Sequence, residues 1–397
     1  MKDWQLYNKL FHSLDNLKWK RWDEMLDLQF ERFSYICFQI TFTMTSFRNL
    51  NQTTGRIISL DNAEYLFFGG TAYLGLLANP EYIELYKQGI DRYGLNNGTS
   101  RTNNVQLGIY KEAEDHLAKR FAFESAALLS SGYLAGQATV RALTKGKSVL
   151  YAAGSHPALW LQDSPLQDGD FDQWILNTID FINNTNQEEF VVISNCIDNL
   201  TPQQFDFSPF KNLNANKRVT LILDDSHGIA ILKKDGISTE LSELKRPNIE
   251  IVVLASLAKG LGTDAGLVLG SKEIINEIKK HPIYNGASPT APAAFYALME
   301  GANLYEEAFD KMQSNTRLLA EMVTNTNLSH IENFPVFSSK KPELYKHLLQ
   351  KKILISSFPY PLATSPLLNR IVISALHTEH DVRHLGEILC TENSLIL

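Results

Sequence analysis

Short apolar runs recur from about residue 105 onward, and most are separated by segments long enough to hold a helix. The runs are Ala126–Leu129, Ser148–Tyr151, Phe190–Ile193, Val219–Leu223 and Ile249–Ala255. Apolar strands that alternate with crossover segments are typical of a mainly parallel sheet with helices on both faces. A further run, Gly266–Gly270, is short enough to return antiparallel. The chain is therefore predicted to have an α/β fold that binds its ligands at the carboxyl ends of the strands.

Two of these predicted strands end in residues that can carry chemistry. LILDDSHGIA at 221–230 places Asp224 and His227 after a strand, and LASLAKGLGTDAG at 254–266 places Lys259 among small residues. A site for pyridoxal 5′-phosphate (PLP) needs a lysine for the Schiff base, a carboxylate for the pyridine nitrogen and an imidazole for the ring hydroxyl. Taken singly, these residues have plainer interpretations as a helix cap, a turn residue and a solvated loop lysine. Their combination favours the PLP interpretation.

A third segment, LLSSGYLAGQA at 128–138, has the pattern of a strand, a glycine turn and a helix. Ser131, Gly132 and Tyr133 are expected at the start of that helix. Backbone N–H groups at a helix start favour phosphate, so this turn is a candidate phosphate site. Many α/β turns share the pattern, and the segment alone does not decide the ligand.

Two further residues are candidates for contacts with the cofactor ring and the substrate. His156, in YAAGSHPALW, follows a predicted strand and could stack on a pyridine ring, although a buried histidine without ligands is the alternative. Arg370 lies at the start of an apolar strand predicted at Arg370–Ser374. An arginine there could bind a substrate carboxylate in a bidentate manner, and the alternative is a surface arginine.

Composition narrows the class of protein. The chain has 397 residues, 44% of them hydrophobic, and a net charge of −7, which leaves no basic surface for nucleic acid. Three scattered cysteines, Cys37, Cys196 and Cys390, argue against a disulfide framework and a zinc site. The longest apolar stretch, residues 33–44, is too short and too polar to span a bilayer, and the N-terminus does not have the pattern of a signal peptide. We therefore expect a cytoplasmic protein.

The chain divides into three predicted parts. Residues 1–57 form an N-terminal arm, with an amphipathic helix over 1–30 and an alternating strand over 36–44. Residues 58–290 form the large ligand-binding domain, and residues 291–397 form a smaller C-terminal α+β domain.

Several motifs, in order along the chain, resemble those of the α-oxoamine synthases. AYLGL at 72–76 is similar to N-D-Y-L-G-L, NNGTSR at 96–101 to G-S-G-S-S-R, and SSGYLA at 130–135 to S-G-[FY]-x-A-N. LDDSHG at 223–228 is similar to V-D-D-A-H-G, and SLAKGLG at 256–262 to T-x-[GS]-K-[AG]-x-G. This family includes 8-amino-7-oxononanoate synthase and 2-amino-3-ketobutyrate CoA ligase, which are PLP enzymes of fold type I. The resemblance extends from about residue 58 to residue 390.

The resemblance implies a function and a role for each candidate residue. The implied enzyme is a homodimeric, PLP-dependent acyltransferase that condenses a small amino acid with an acyl-CoA, usually with decarboxylation. Lys259 would attach PLP, and Arg370 would hold the carboxylate of the amino acid. The other implied cofactor contacts are Asp224 with the pyridine nitrogen, His227 with the ring hydroxyl, His156 on the ring face, and Ser131, Gly132, Tyr133 and Ser256 with the phosphate.

The residues that depart from the family pattern are mainly those expected to face the substrate. Asn195 and Asn199 replace a glutamate and a serine, Thr71 replaces an asparagine, and Gly286 replaces a hydroxyl residue. Asn199 is retained as a predicted substrate contact. A PLP-dependent aminotransferase of the same fold and a non-catalytic binding protein remain alternatives. The histidine at position 156 favours acyl transfer, since typical aminotransferases of this fold stack an aromatic residue there.

Overall fold

The computed structural model describes residues 47–162, 165, 169–359 and 364–391. The helix predicted over 1–30 and the strand predicted over 36–44 lie outside the described residues. The described chain contains a six-stranded sheet, a five-stranded sheet and a two-stranded hairpin. Within the same ranges, no helix combines the length and apolar character needed to cross a membrane.

Strands and helices alternate along the chain. The strands are β1 (Ile57–Leu60), β2 (Ala63–Phe68), β3 (Ser125–Leu129), β4 (Ser148–Tyr151), β5 (Glu189–Asn195), β6 (Ile197–Asp198), β7 (Gln203–Gln204), β8 (Arg218–Asp224), β9 (Ile249–Ser256), β10 (Gly266–Gly270), β11 (Val336–Ser339), β12 (Ile353–Pro359) and β13 (Leu367–Val372). The helices are α1 (Pro80–Tyr93), α2 (Ile109–Arg120), α3 (Gly132–Leu143), α4 (Phe171–Asn184), α5 (Lys272–Lys280), α6 (Pro282–Gly286), α7 (Pro292–Glu300), α8 (Ala302–Met322), α9 (Leu344–Gln350) and α10 (Glu379–Thr391).

The six-stranded sheet has the order β3-β10-β9-β8-β5-β4. The strands β4, β5, β8 and β9 are parallel to one another, and β10 runs antiparallel to both of its neighbours. Both faces are covered, because Leu221 and Leu223 pack into a core with residues of α2 and α7, whereas Ile222 packs with residues of α3 and α5. The predicted sheet and the antiparallel return of Gly266–Gly270 are confirmed.

The five-stranded sheet has the order β1-β2-β12-β13-β11. A tight turn joins β1 to β2 through Asp61 and Asn62, whose φ angles of 49° and 60° suit the short polar side chains that tolerate this conformation. β2 then pairs in parallel with β12. Residues 57–68 therefore complete the sheet of the C-terminal segment, and this pairing joins the predicted 58–290 part to the predicted 291–397 part. The helix α7, in turn, packs on α1 and α2 of the large domain.

The strand that carries Arg370 begins earlier than predicted. The sequence pattern placed this strand at Arg370–Ser374, beginning at the arginine, whereas β13 spans Leu367–Val372. Arg370 therefore lies within the strand, which is hydrogen-bonded on one side to β11 and on the other to β12. The alternative of a surface arginine is wrong, because Arg370 is only 5% exposed.

Candidate active site

The carboxyl ends of β8 and β9 are held together by a short chain of hydrogen bonds. Asp224 is the last residue of β8 and is buried. Its Oδ1 accepts a hydrogen bond from the backbone N of Ser226 at 2.9 Å. The Oγ of Ser226 in turn accepts one from the backbone N of Ser256, the last residue of β9, at 2.8 Å. The carboxylate of Asp224 thus has a fixed orientation relative to the segment that carries Lys259.

Buried tyrosines support the loop that carries Lys259. Tyr305, from α8, donates a hydrogen bond to the carbonyl oxygen of Leu261 at 2.6 Å. The hydroxyl of Tyr82, from α1, lies 2.8 Å from that of Tyr305 and 3.0 Å from Oγ1 of Thr263. These contacts fix the loop on the C-terminal side of the lysine, so Lys259 is presented from a rigid support.

Lys259 lies in an environment that favours its neutral amine. Burial lowers the pKa of Lys259, the charge of Asp224 opposes this effect, and the charge of Arg370 adds to it. No described residue hydrogen-bonds its Nζ, so the amine is available for a ligand. An amine that loses its proton more readily than an ordinary lysine is a better nucleophile and a better base.

A buried tyrosine joins His227 to Arg370. The hydroxyl of Tyr73 lies 2.7 Å from Nδ1 of His227 and accepts a hydrogen bond from Nη2 of Arg370 at 2.9 Å. Burial lowers the pKa of His227 well below its usual value, and the positive charges of Lys259 and Arg370 lower it further. Burial also raises the pKa of Tyr73, so the phenol keeps its proton. The motif AYLGL contains this tyrosine, but the sequence assigned it no role.

Arg370 lacks a carboxylate partner within the described chain. Besides the bond to Tyr73, its Nε is buried and has no hydrogen-bond partner among the described residues. A buried guanidinium needs a counter-charge, since leaving a charge unpaired away from water is costly. The side chain is therefore suited to an anionic ligand such as a carboxylate, and its role as a substrate contact stays a prediction.

The predicted phosphate turn is packed closely against the end of β9. A Cβ built on Gly132, the first residue of α3, would lie 2.5 Å from Cβ and 2.9 Å from Cα of Ser256. Ser131 caps the helix, because its Oγ accepts a hydrogen bond from the backbone N of Leu134 at 3.2 Å. Tyr133 is 51% exposed beside this turn. The start of α3 and the hydroxyl of Ser256 therefore lie together, as a phosphate site requires.

His156 is positioned by Asn195, one of the departures from the family pattern. The amide of Asn195, at the end of β5, accepts a hydrogen bond from the backbone N of His156 at 3.2 Å. It also donates one to the carbonyl oxygen of Gly154 at 2.8 Å. The imidazole is exposed, and partial removal from water lowers its pKa, with Asp224 opposing this effect.

Asn199 stands apart from these contacts. It lies half-buried in the turn between β6 and β7, and no described hydrogen bond links it to the other candidate residues. Its role as a substrate contact stays a prediction. The other candidates come from the ends of four strands, β3, β4, β8 and β9, and from the C-terminal sheet. Electrostatic interactions link His156, Asp224, His227, Lys259 and Arg370.

Comparisons with known proteins agree with this fold. No family model matches the chain. An 8-amino-7-oxononanoate synthase from Salmonella arizonae is 22% identical over 360 residues, which cover 86% of this chain and 92% of the relative.

Solved structures share the architecture. A serine palmitoyltransferase from S. paucimobilis with bound PLP has a TM-score of 0.73 and 15% identity, covering 87% of this chain and 92% of that chain. An 8-amino-7-oxononanoate synthase from Francisella tularensis has a TM-score of 0.63 and 18% identity, covering 83% and 97%. The predicted fold, that of the fold-type-I PLP enzymes, is confirmed.

Proposed function

We propose that this chain belongs to the α-oxoamine synthase family and is a PLP-dependent acyltransferase that joins a small amino acid to an acyl-CoA. The observation that carries the proposal is the convergence of Lys259, Asp224 and His227 at one sheet edge, with Arg370 reaching the same place through Tyr73. A substrate with both an amine and a carboxylate matches this pairing of a nucleophilic lysine with an unpaired arginine. The reaction releases the free thiol of CoA and usually carbon dioxide.

The residues present fit PLP at both ends of the cofactor. The start of α3 is so close to Ser256 that a Cβ on Gly132 would fill the space between them, which suits the phosphate. Asp224 has one oxygen engaged by Ser226, which leaves the other for the pyridine nitrogen. When bound, PLP supplies a carbonyl carbon that captures amines and a protonated ring that accommodates the electron pair left on Cα.

Each side chain then has a defined task. Lys259 would attach the cofactor, and its Nζ would take the proton from the substrate Cα. Its lowered pKa keeps that amine able to accept a proton. Arg370 binds the substrate carboxylate and so sets which Cα bond faces the lysine. Asp224 keeps the proton on the pyridine nitrogen, because a fixed carboxylate favours the charged ring.

His156 favours acyl transfer over amino-group transfer. An imidazole can stack on a ring and also donate a hydrogen bond to a carboxylate or a thioester carbonyl, whereas a phenyl ring can only stack. Asn195 anchors the backbone of His156 from the neighbouring strand, so the imidazole is carried on a fixed segment. The departure at Asn195 thus supports the histidine on which this reaction class depends.

A homodimer and a cytoplasmic setting are part of the proposal. Leu95 and Val105, at the two ends of the loop between α1 and α2, are exposed by 72% and 69% in the single chain. Arg101, in the same loop, donates a hydrogen bond to the buried carboxylate of Glu114 at 2.8 Å, so this loop is anchored. A second copy would cover these side chains. Light scattering at micromolar concentration should give the mass of two chains, and a fully active monomer would contradict the dimer.

The reaction class is tested by following thiol release. Glycine, alanine and serine are each offered with a short and a long acyl-CoA, and the same amino acids are offered in parallel with keto-acid acceptors. Lys259→Ala serves as the control for release that does not depend on the site. Thiol release that requires both substrates and Lys259 supports the proposal. Formation of new amino acid without thiol release would identify an aminotransferase, and inactivity of PLP-loaded protein in every combination would favour the non-catalytic alternative.

A further inference from the structure

Tyr73 is held rigidly between the two halves of the site. Its carbonyl oxygen accepts a hydrogen bond from the backbone N of Ala375 at 3.0 Å, just beyond β13. Two residues on, Gly75 has φ +65°, and a Cβ there would lie 2.5 Å from Cγ of Leu376. The phenol itself is fully buried. Its position between His227 and Arg370 is therefore fixed by the backbone around it.

The hydrogen-bond donors among Tyr73, His227 and Arg370 can be assigned from chemistry alone. A guanidinium has no acceptor, so Arg370 must donate to the Tyr73 oxygen. The phenolic hydrogen then needs an acceptor of its own, because an unsatisfied buried O–H is costly. Nδ1 of His227, at 2.7 Å, is the remaining partner within the described chain. The hydrogen bond therefore runs from Tyr73 to His227, and Nδ1 carries no proton.

We propose that Tyr73 is a positioning residue that holds His227 as the neutral tautomer with its proton on Nε2. Among the described residues, the side-chain hydrogen bond of His227 involves Nδ1, and Nε2 is the nitrogen left for a ligand. His227 therefore presents a donor, and the matching group on a ligand is an anionic or carbonyl oxygen. With PLP, as the proposed function requires, that oxygen is the one on the pyridine ring.

The hydroxyl of Tyr73 couples the residue proposed to contact the cofactor to the residue proposed to bind the substrate. Arg370, in the C-terminal sheet, and His227, after β8 of the large sheet, share one hydroxyl. Loss of that hydroxyl would remove the tautomer restraint from His227 and one of the contacts that orient Arg370. Tyr73→Phe is thus expected to affect binding of the amino acid and of the cofactor together, although Tyr73 itself need touch neither.

The direct test is the nitrogen NMR spectrum of histidine, which distinguishes a protonated ring nitrogen from an unprotonated one. Wild-type protein with ¹⁵N-labelled histidine is measured with and without PLP near neutral pH, and His227→Gln assigns the signals. We expect an unprotonated Nδ1 and a protonated Nε2 in both states. A proton on Nδ1 would overturn the proposal, and this result does not depend on which reaction the protein catalyses.

A variant pair separates positioning from general loss of packing. In Tyr73→Phe the His227 signals should move toward a mixture of tautomers, and the KM for the amino acid should rise about tenfold. Tyr82→Phe removes another buried hydroxyl with two partners and should leave the His227 signals unchanged. An unchanged His227 spectrum in Tyr73→Phe would overturn the proposal even if activity fell. If the tautomer assignment holds but no acyl transfer is found, the proposed function fails and the role of Tyr73 stands.

Discussion

Gly132 is the position where the smallest change should most clearly disturb the phosphate end of the site. In Gly132→Ala the added methyl would lie 2.5 Å from Cβ and 2.9 Å from Cα of Ser256. The second of these atoms is backbone in the last residue of β9, so rotation of a side chain cannot relieve the contact. The start of α3 and the end of β9 must move apart.

The size of the effect follows from this overlap. Overpacking of this kind typically costs about 1–3 kcal/mol. If the two segments separate, the backbone N–H groups of α3 and the hydroxyl of Ser256 no longer converge on one phosphate. If this free energy is lost from PLP binding, the dissociation constant of PLP rises by about 5- to 150-fold. The dissociation constant is measured by titrating PLP-free protein, and the free energy of unfolding by urea denaturation.

Gly108→Ala is the matched control. Gly108 also lies at the start of a helix, α2, but a Cβ there would meet only the flexible carboxylate of Glu112 at 3.4 Å. This variant should keep both the stability and the PLP affinity of the wild type within about 0.5 kcal/mol. If Gly132→Ala binds PLP as tightly as Gly108→Ala does, the start of α3 is not the phosphate site.

Three further predictions concern single side chains. Asp224→Asn should retain PLP but lower kcat by at least about 100-fold, because a neutral amide cannot hold the pyridine proton, and near-normal kcat would remove Asp224 from this role. Arg370→Lys should raise the KM for the amino acid at least about tenfold, because an ammonium cannot form the bidentate pair, and an unchanged KM would move the carboxylate site elsewhere. Burial lowers the pKa of His377 to about 4, and its ring accepts a hydrogen bond from the backbone N of Ser374 and lies 2.9 Å from the carbonyl oxygen of Phe67. Stability should therefore fall as the pH drops from 6.5 toward 4, by up to about 3 kcal/mol, and urea denaturation of His377→Gln should show a shallower fall than the wild type.

The central sheet could be predicted because most of its strands are buried on both faces. Ser148–Tyr151 and Gly266–Gly270 match their predicted bounds, and a glycine marks each end of the second run. The strand containing Arg370 was placed too late because Asn369 and Arg370 interrupt its apolar pattern. Both are buried, since β13 has a neighbouring strand on each side. This burial depends on strands that are far away in sequence, so the local pattern of apolar residues does not indicate it.

In the candidate site, too, residues in local sequence patterns could be predicted, whereas residues whose partners are distant in sequence could not. Asp224, His227 and Lys259 were found because strand ends of a parallel sheet meet at one edge, which a sequence pattern can reveal. Tyr73 was missed, although its motif was noted, because its partners lie 154 and 297 positions away. The supporting role of Asn195 was hidden for the same reason, since its contacts on the neighbouring strand are visible only in three dimensions.

The most direct test of the account is the position at which PLP becomes attached to the protein. PLP-loaded protein is reduced with borohydride, digested and mapped by mass spectrometry, with Lys259→Ala treated in parallel. The account predicts that the modified peptide contains Lys259, because this amine combines a lowered pKa with proximity to Asp224. Modification of another lysine in the wild type, or the absence of any modified peptide, would contradict it.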